Sequence, residues 1–255
     1  MKTKKVNEVR KQIEYEYARN AYPDGFPKIP DISGKRYTDK DFYDLEFEKI
    51  FLKSWLMVFR ENEIPNPGDF KIFDKLQRDI LIVRQNDYSI KAFYNTCSHR
   101  GAPVVREKKG STKLLKCQYH SWAYELDGSL LRVPDERDFF ELDLSCRGLK
   151  NVHCDTWDGW IYVSLSKEDP GSLIDFLDPV ASEMKCFNSS ELITIWQNST
   201  IVKANWKTCL DAFMEVYHSP TIHKETVNIL LDGNGMAAGL LKNGHSRMVT
   251  PKRIN

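Results

Sequence analysis

The chain has almost no charge of one sign to spare. Thirty-seven lysines and arginines face 36 aspartates and glutamates, a net charge of +1. That balance gives no reason to expect nucleic acid or an acidic membrane surface as a partner. Long apolar runs are missing as well. The longest, such as Trp55-Leu56-Met57-Val58-Phe59, fall far short of the roughly 20 residues that cross a bilayer. The lysines near the start have no apolar stretch behind them, so residues 1–20 do not read as a secretory signal. Cysteine is sparse at six residues, too few in a chain of this length for a disulfide framework. No repeat or low-complexity segment occurs. What remains is a globular protein, expected in the cytoplasm. Its 255 residues are 41% hydrophobic and 29% charged, enough for one large or two ordinary domains with a sizeable core.

Two short stretches stand out against this plain background. Cys97-Ser98-His99-Arg100-Gly101-Ala102-Pro103 is followed by Cys117-Gln118-Tyr119-His120, which is C-x-H, seventeen residues, then C-x-x-H. Two thiolates and two imidazoles on two short loops make a four-ligand metal site. Zinc in a Cys2His2 site usually takes both cysteines from one loop and both histidines from another. Here each loop carries one of each. That mixture suits a [2Fe–2S] centre with two cysteines on one iron and two histidines on the other. A zinc-stabilised interaction protein is the alternative. The remaining thiols, Cys146, Cys154, Cys186 and Cys209, read as reduced core residues. His-Arg-Gly-Ala-Pro after the first histidine, with Tyr119, Ser121 and Trp122 around the second, resembles the Rieske family and its ring-hydroxylating oxygenases in particular.

Along the chain, Val6, Val9, Ile13 and Tyr17 form an apolar stripe on a first helix, with Lys5, Arg10, Lys11 and Glu14 on the solvated face. Tyr22 to Pro30 breaks regular structure. A second helix starts at Thr38 or Asp39 and runs to about Trp55. Its apolar positions Phe42, Leu45, Phe47, Ile50, Phe51 and Leu52 are spread too widely for one stripe. Short strands follow: Asp79–Arg84 and Ile90–Tyr94 around a Gln85-Asn86-Asp87 turn, Tyr124–Leu130 folded at Asp127-Gly128, and Trp160–Leu165. Ser172–Phe187 reads as helix and Leu192–Val202 as strand. The expected division is 1–55, helices packing on the C-terminal domain; 56–165, a small antiparallel β domain with the ligand loops at one tip; and 166–255.

A second chemical stretch runs from Asn205 to His223. Asn205 is a good N-cap, and Trp206 to about His218 reads as helix. Glu215 and His218 then share a face, with Asp211 one turn below Glu215. His223 lies about 140° round a continued helix, but Pro220 ends the helix and lets the chain swing His223 beside His218. Two histidines so placed suit a mononuclear iron that still needs a carboxylate. Alone, H-x4-H is a weak signal. Glu215-x-x-His218 also matches the di-iron bundle motif, but a bundle needs a second copy and the chain has no other Glu-x-x-His.

Asn205-Trp206-Lys207, then an acid three residues before His-x4-His, all downstream of a Rieske-like stretch, resembles the Rieske non-haem iron oxygenase α subunits over roughly residues 36–250. The resemblance implies an α+β fold: an antiparallel β Rieske [2Fe–2S] domain plus the first part of a helix-grip (START/Bet v1-like) catalytic domain. It implies a cluster on Cys97, His99, Cys117 and His120, and mononuclear Fe(II) on His218 and His223. Glu215 would bridge His218 to a cluster histidine of the adjacent subunit, with Asp211 supporting. Electrons would come from NAD(P)H through a reductase, with or without a ferredoxin. O2 would then attack a small organic substrate, most often aromatic, in a trimer or an α3β3 assembly. Two departures follow. Glutamate stands at 215 where aspartate is more usual. The family's third iron ligand, a downstream acid, falls in a region the chain does not possess, and neither Glu225 nor Asp232 sits in a matching motif. An α subunit truncated at its C-terminus, itself inactive as an oxygenase, is therefore expected. A stand-alone Rieske electron carrier is the alternative, and residues 166–255 argue against it.

Overall fold

The computed structural model describes residues 3–23 and 25–253, so Asp24 of the Tyr22–Pro30 break and two residues at each end lie outside the described residues. It divides into two units, Phe47–Leu173 with Asn188–Gln197, and Met1–Glu46 with Ile174–Phe187 and Asn198–Asn255.

The first unit is β-built. Its strands are β1 (Leu56–Arg60), β2 (Asp69–Phe73), β3 (Ile80–Arg84), β4 (Ile90–Tyr94), β5 (Lys109–Ser111), β6 (Leu115–Lys116), β7 (Ala123–Tyr124), β8 (Leu130–Arg132), β9 (Asn151–Trp157) and β10 (Trp160–Ser164). Seven form one antiparallel sheet in the order β1-β10-β9-β4-β3-β2-β5, and β6-β7-β8 form a second. The unbroken apolar run of β3 has a simple cause: the strand is buried on both faces. Leu81 and Val83 point into a core that also holds Cys97, Cys117, Trp122 and Tyr124. Ile80 and Ile82 point into another with Ile161 and Val163, against which Phe47, Phe51 and Leu52 pack. Alternation at period 2 thus gives one strand two cores.

The turns follow their side chains. At the tip between β3 and β4 the Asp87 carboxylate accepts from Ser89 N at 2.9 Å, and Asp127 does the same for Ser129 N at 3.0 Å between β7 and β8. Gly128 sits at φ +87°, where a Cβ would lie 2.4 Å from the Phe93 ring. Only glycine closes that turn.

The expected strand from Leu192 to Val202 does not form. Its start is pinned instead. Arg60 donates to Ser189 Oγ at 3.0 Å and to Leu192 O at 2.8 Å, and Asp158 accepts from Ser189 N at 2.9 Å. Beyond this clamp Ile193, Ile195 and Trp196 are exposed with no neighbouring strand, and a strand without a partner has no ladder to join.

In the second unit, α1 (Thr3–Ala18) buries Val9 and lays Tyr17 over Gly235, where a Cβ would lie 2.5 Å from the ring. The long second helix is shorter than read. α2 (Lys35–Thr38) and α3 (Lys40–Glu46) are followed by a π-helical turn, Phe47–Phe51, that belongs to the β unit. The widely spread apolar positions therefore serve two units. Ser172–Phe187 likewise resolves into α4 (Leu173–Leu177), α5 (Val180–Met184) and a 3-10 turn, interrupted at Pro179, the residue before α5. Of the four thiols read as core residues, only Cys154 is partly buried; Cys146, Cys186 and Cys209 are exposed. Among the described residues no helix is long and apolar enough to cross a membrane.

The Asn-Trp-Lys motif is a tertiary joint. α6 (Trp206–Phe213) is capped by the Asn205 side chain, which accepts from Lys207 N at 3.0 Å. Asn205 Nδ2 donates to Tyr37 O at 3.2 Å, Trp206 Nε1 donates to Glu46 at 3.1 Å, and the Lys207 ammonium meets the same carboxylate at 2.8 Å. Glu46 is 7% exposed. Breaking a buried pair from one side strands the other charge and costs about 3–5 kcal/mol. We expect Glu46→Ala to destabilise the chain by about 3 kcal/mol in urea unfolding; an unchanged midpoint would mean that α3 and α6 are not joined through this carboxylate.

Candidate metal centres

The two Cys/His loops have the same hydrogen-bond plan. Cys97 N donates to Ala102 O at 2.8 Å while Gly101 N donates back to Cys97 O at 2.9 Å. Cys117 N donates to Trp122 O and Ser121 N to Cys117 O, both at 2.9 Å. Each plan closes on a residue with positive φ, Gly101 at +75° and Ser121 at +60°. Buried Asn95 braces the first loop, accepting from Val104 N and Val105 N at 3.0 Å and donating to Val105 O at 2.8 Å. The result is two matching loops, each presenting a thiol inward and an imidazole toward the tip.

Cys97 and Cys117 are 3% and 1% exposed, and neither is in a disulfide. Burial pushes the Cys97 thiol up, and the neighbouring Cys117 thiol adds to the shift. The His99 and His120 rings lie 4.8 Å apart, and His99 stacks on Trp122 at 4.8 Å and 5°. Burial, then His120 and Arg100, lowers the His99 pKa, so its imidazole is neutral and its lone pair free. His99 Nδ1 is buried without a hydrogen-bond partner. An orphaned buried ring nitrogen beside two buried thiols that form no disulfide fits a metal-sulfur group better than it fits any packed protein core.

Among the described residues no three His, Cys, Asp or Glu side chains converge to hold a single ion. A paired-iron cluster does not ask for three, since each iron takes two protein ligands.

The second pair is placed differently from the sequence reading. α6 ends at Phe213, not His218. The Glu215 carboxylate accepts from the backbone of Tyr217 and, at 3.2 Å, of His218, taking amides that a continuing helix would bond to carbonyls. Pro220 does not end a helix; it lies in the first turn of α7 (Ser219–Ile222), which His218 caps. The intended outcome is reached by this other route: the His218 and His223 rings are 5.2 Å apart. His218 Nδ1 donates to Glu215, which holds that carboxyl below its usual range and leaves Nε2 as the ring nitrogen with no part in that bond. Asp211 is not brought to the pair, for it accepts from Tyr37 Oη at 2.9 Å. Asp232 accepts from Tyr17 Oη and Asn234 N, both at 3.1 Å. Among the described residues Glu225 bonds to neither histidine.

Residues 54–152 match the Rieske [2Fe-2S] domain family, and residues 174–254 the ring hydroxylating alpha subunit catalytic domain. This chain belongs to the Rieske oxygenase large (α) subunits. It is similar to the oxygenase subunit of glycine betaine monooxygenase from Pseudomonas aeruginosa (strain UCBPP-PA14), 32% identical over 77% of this chain and 45% of the relative. It is also similar to the large oxygenase component of the 2,4-dinitrotoluene dioxygenase system of Burkholderia sp. (strain RASC), 34% identical over 81% and 47%. Among solved structures, the quaternary ammonium Rieske monooxygenase CntA superposes with a TM-score of 0.74 at 26% identity, covering 84% of this chain and 61% of that one. Naphthalene 1,2-dioxygenase does so at 0.66 and 32%, over 72% and 43%. The chain thus spans about 45% of the length of the curated relatives it matches. The fold is an antiparallel β Rieske domain with part of a helix-grip catalytic domain. A Rieske domain and this catalytic domain imply a Rieske cluster and a mononuclear iron.

In this α subunit, Tyr124 is a site residue that sequence reading placed only in a strand. Its Oη lies 3.0 Å from Cys97 Sγ and 2.9 Å from Ser98 Oγ, and accepts from Ser98 N at 3.1 Å. Ser98 Oγ donates its own proton to Arg147 O at 2.6 Å. The phenol proton therefore chooses between a hydroxyl oxygen and a sulfur, and a sulfur ionised by a bound cluster would be the stronger acceptor. The signal was available, because Tyr124 alternates inward on β7, two residues after Trp122. A hydrogen bond to sulfur stabilises the more negative, reduced cluster. We expect Tyr124→Phe to lower the midpoint potential, by about 60 mV for each 1.4 kcal/mol of lost differential bonding. Protein-film voltammetry giving an unchanged potential would assign the proton to Ser98.

Proposed function

We propose that this chain is the electron-accepting and iron-presenting part of a Rieske oxygenase α subunit in the cytoplasm. Cys97 and Cys117 would hold one iron of the cluster, His99 and His120 the other. His218 and His223 would hold the mononuclear iron, whose chemistry when bound is to activate O2 for hydroxylation of a small organic substrate, by mono- or dioxygenation. Electrons would reach the cluster from NAD(P)H through a reductase, with or without a ferredoxin, in a trimer or α3β3 assembly.

The observation that carries this reading is the neutral, orphaned His99 nitrogen beside two buried thiols, joined in one chain to a second, separate histidine pair. The protein's own groups do three things. Trp122 fixes the plane of His99. Glu215 holds the His218 tautomer so that Nε2, not Nδ1, meets a metal. Glu215 also remains partly exposed, at 39% for its side chain, with lone pairs left to meet the partner subunit's His120. That contact would make Glu215 the electron bridge.

The substrate is read as aromatic, as for the dinitrotoluene and naphthalene relatives. The glycine betaine relatives and the likeness to CntA favour a second reading, a quaternary ammonium compound. An assay with both classes under 18O2 separates them by which one gains label.

Two results test the proposal. Purified protein should carry iron and acid-labile sulfide and give a low-average-g EPR signal on reduction, abolished by His99→Ala or His120→Ala; zinc without sulfide would end the cluster reading. Within an α subunit carrying a complete catalytic domain, Glu215→Gln should retain both metal centres yet slow single-turnover reoxidation of the cluster by orders of magnitude. Unchanged reoxidation would route electrons elsewhere.

A further inference from the structure

The loop pair has two unlike sides. On the histidine side Tyr119, 58% exposed, packs against His120 at 3.8 Å, the buried Trp122 stacks on His99, and Arg100 stands as a cation beside the rings. On the other side Thr96, Cys97, Ser98 and Gly101 line a cleft of about 650 Å³ whose wall carries Arg78 and Lys150. None of the four candidate ligands except Cys97 reaches it. Through Arg78, Tyr94 and Lys150 it continues into a second cleft of about 590 Å³ that adds Lys53 and Lys167.

Arg78, Lys150, Lys53 and Lys167 are exposed, and among the described residues none of the four is held in an ion pair. Lys150 is spent only on the Tyr94 ring, at 5.4 Å. Three acids share the lining. Glu48 is bonded to Lys49 at 3.0 Å and also lies in the field of Lys53, and Asp79 and Glu168 complete the acids that stand against the four cations. In a chain of net charge +1, an unpaired cationic groove that ends on a cluster cysteine is a local feature, not a general basicity.

The cations are strung along two joined clefts instead of converging on one point. A single small anion would leave most of them unused. A broad acidic surface would meet them all, and complementary charge over such a face speeds encounter by about 10- to 1,000-fold.

We propose that this groove docks the acidic face of an electron-donating iron–sulfur protein, with its redox centre against the Cys97 side. One electron leaves the donor's reduced centre and reduces one ferric ion of the Rieske cluster; no bond is made or broken. Entry is by the cysteine side, which leaves the histidine side free for exit. The inference rests on the electron path proposed above.

The probe is reduced plant-type [2Fe–2S] ferredoxin, acidic and lower in potential than a Rieske centre. Stopped-flow reduction of the cluster-loaded chain should fall at least about tenfold in Arg78→Glu/Lys150→Glu, less in Arg78→Gln/Lys150→Gln, and steeply with salt in the unaltered chain. Anisotropy of labelled, oxidised ferredoxin should show the same order of affinities. Lys113→Glu, in the loop between β5 and β6, and reduction by neutral photoreduced deazaflavin should be unaffected. A cluster with full EPR signal whose ferredoxin rate and affinity ignore the Arg78 and Lys150 reversals overturns the docking alone. A chain with no cluster signal overturns the electron path and the docking with it.

Discussion

Two thiols buried side by side in an apolar core cannot both ionise unless a cation lies against them, and the tip of the β unit is arranged around that requirement. Cys97 and Cys117 sit in the same core as Leu81, Val83 and Phe93, where burial alone opposes the thiolate. Everything that favours the anion is local and specific. The Tyr124 hydroxyl lies at hydrogen-bond distance, the loop amides are ordered by their own carbonyls, and the His99 imidazole, its pKa lowered by burial, stands beside that of His120. A metal-sulfur group satisfies all of these at once. Without one, the site is a set of costs.

The same economy governs the histidine pair in the other unit. A helix that ran on past Phe213 would carry His223 round to the far side. Glu215 prevents that by bonding backward to Tyr217 and His218, so one carboxylate both stops the helix and sets the His218 tautomer. Its extra methylene over aspartate lets the carboxylate reach its own backbone and the imidazole together.

Much of this was legible in residue order. The ligand loops were plain from C-x-H and C-x-x-H, β3 and β4 from their apolar runs, and the Asp127-Gly128 turn from its chemistry. So was the pairing of His218 with His223, although its cause was misread. What could not be read were interactions between residues distant in sequence. Glu46 looked like one more helix carboxylate, yet it is the buried partner of Trp206 and Lys207, about 160 residues on. Asp211 was read as a support for the iron, and its bond from the Tyr37 hydroxyl, 174 residues away, was not legible. Leu192–Val202 has the composition of a strand, but composition does not supply a neighbouring strand. Cysteine burial failed for a related reason: small apolar residues are most often buried on average, and three exposed thiols are exceptions that only packing reveals.

The central claim is that one iron of a pair is held by Cys97 and Cys117 and the other by His99 and His120. Mössbauer spectroscopy of the oxidised, 57Fe-enriched chain reads this directly. We expect two ferric sites in equal amount with different isomer shifts, one in all-sulfur ligation and one in mixed sulfur and nitrogen ligation. Two equivalent all-sulfur sites, or no iron signal in a protein that contains zinc, would contradict it.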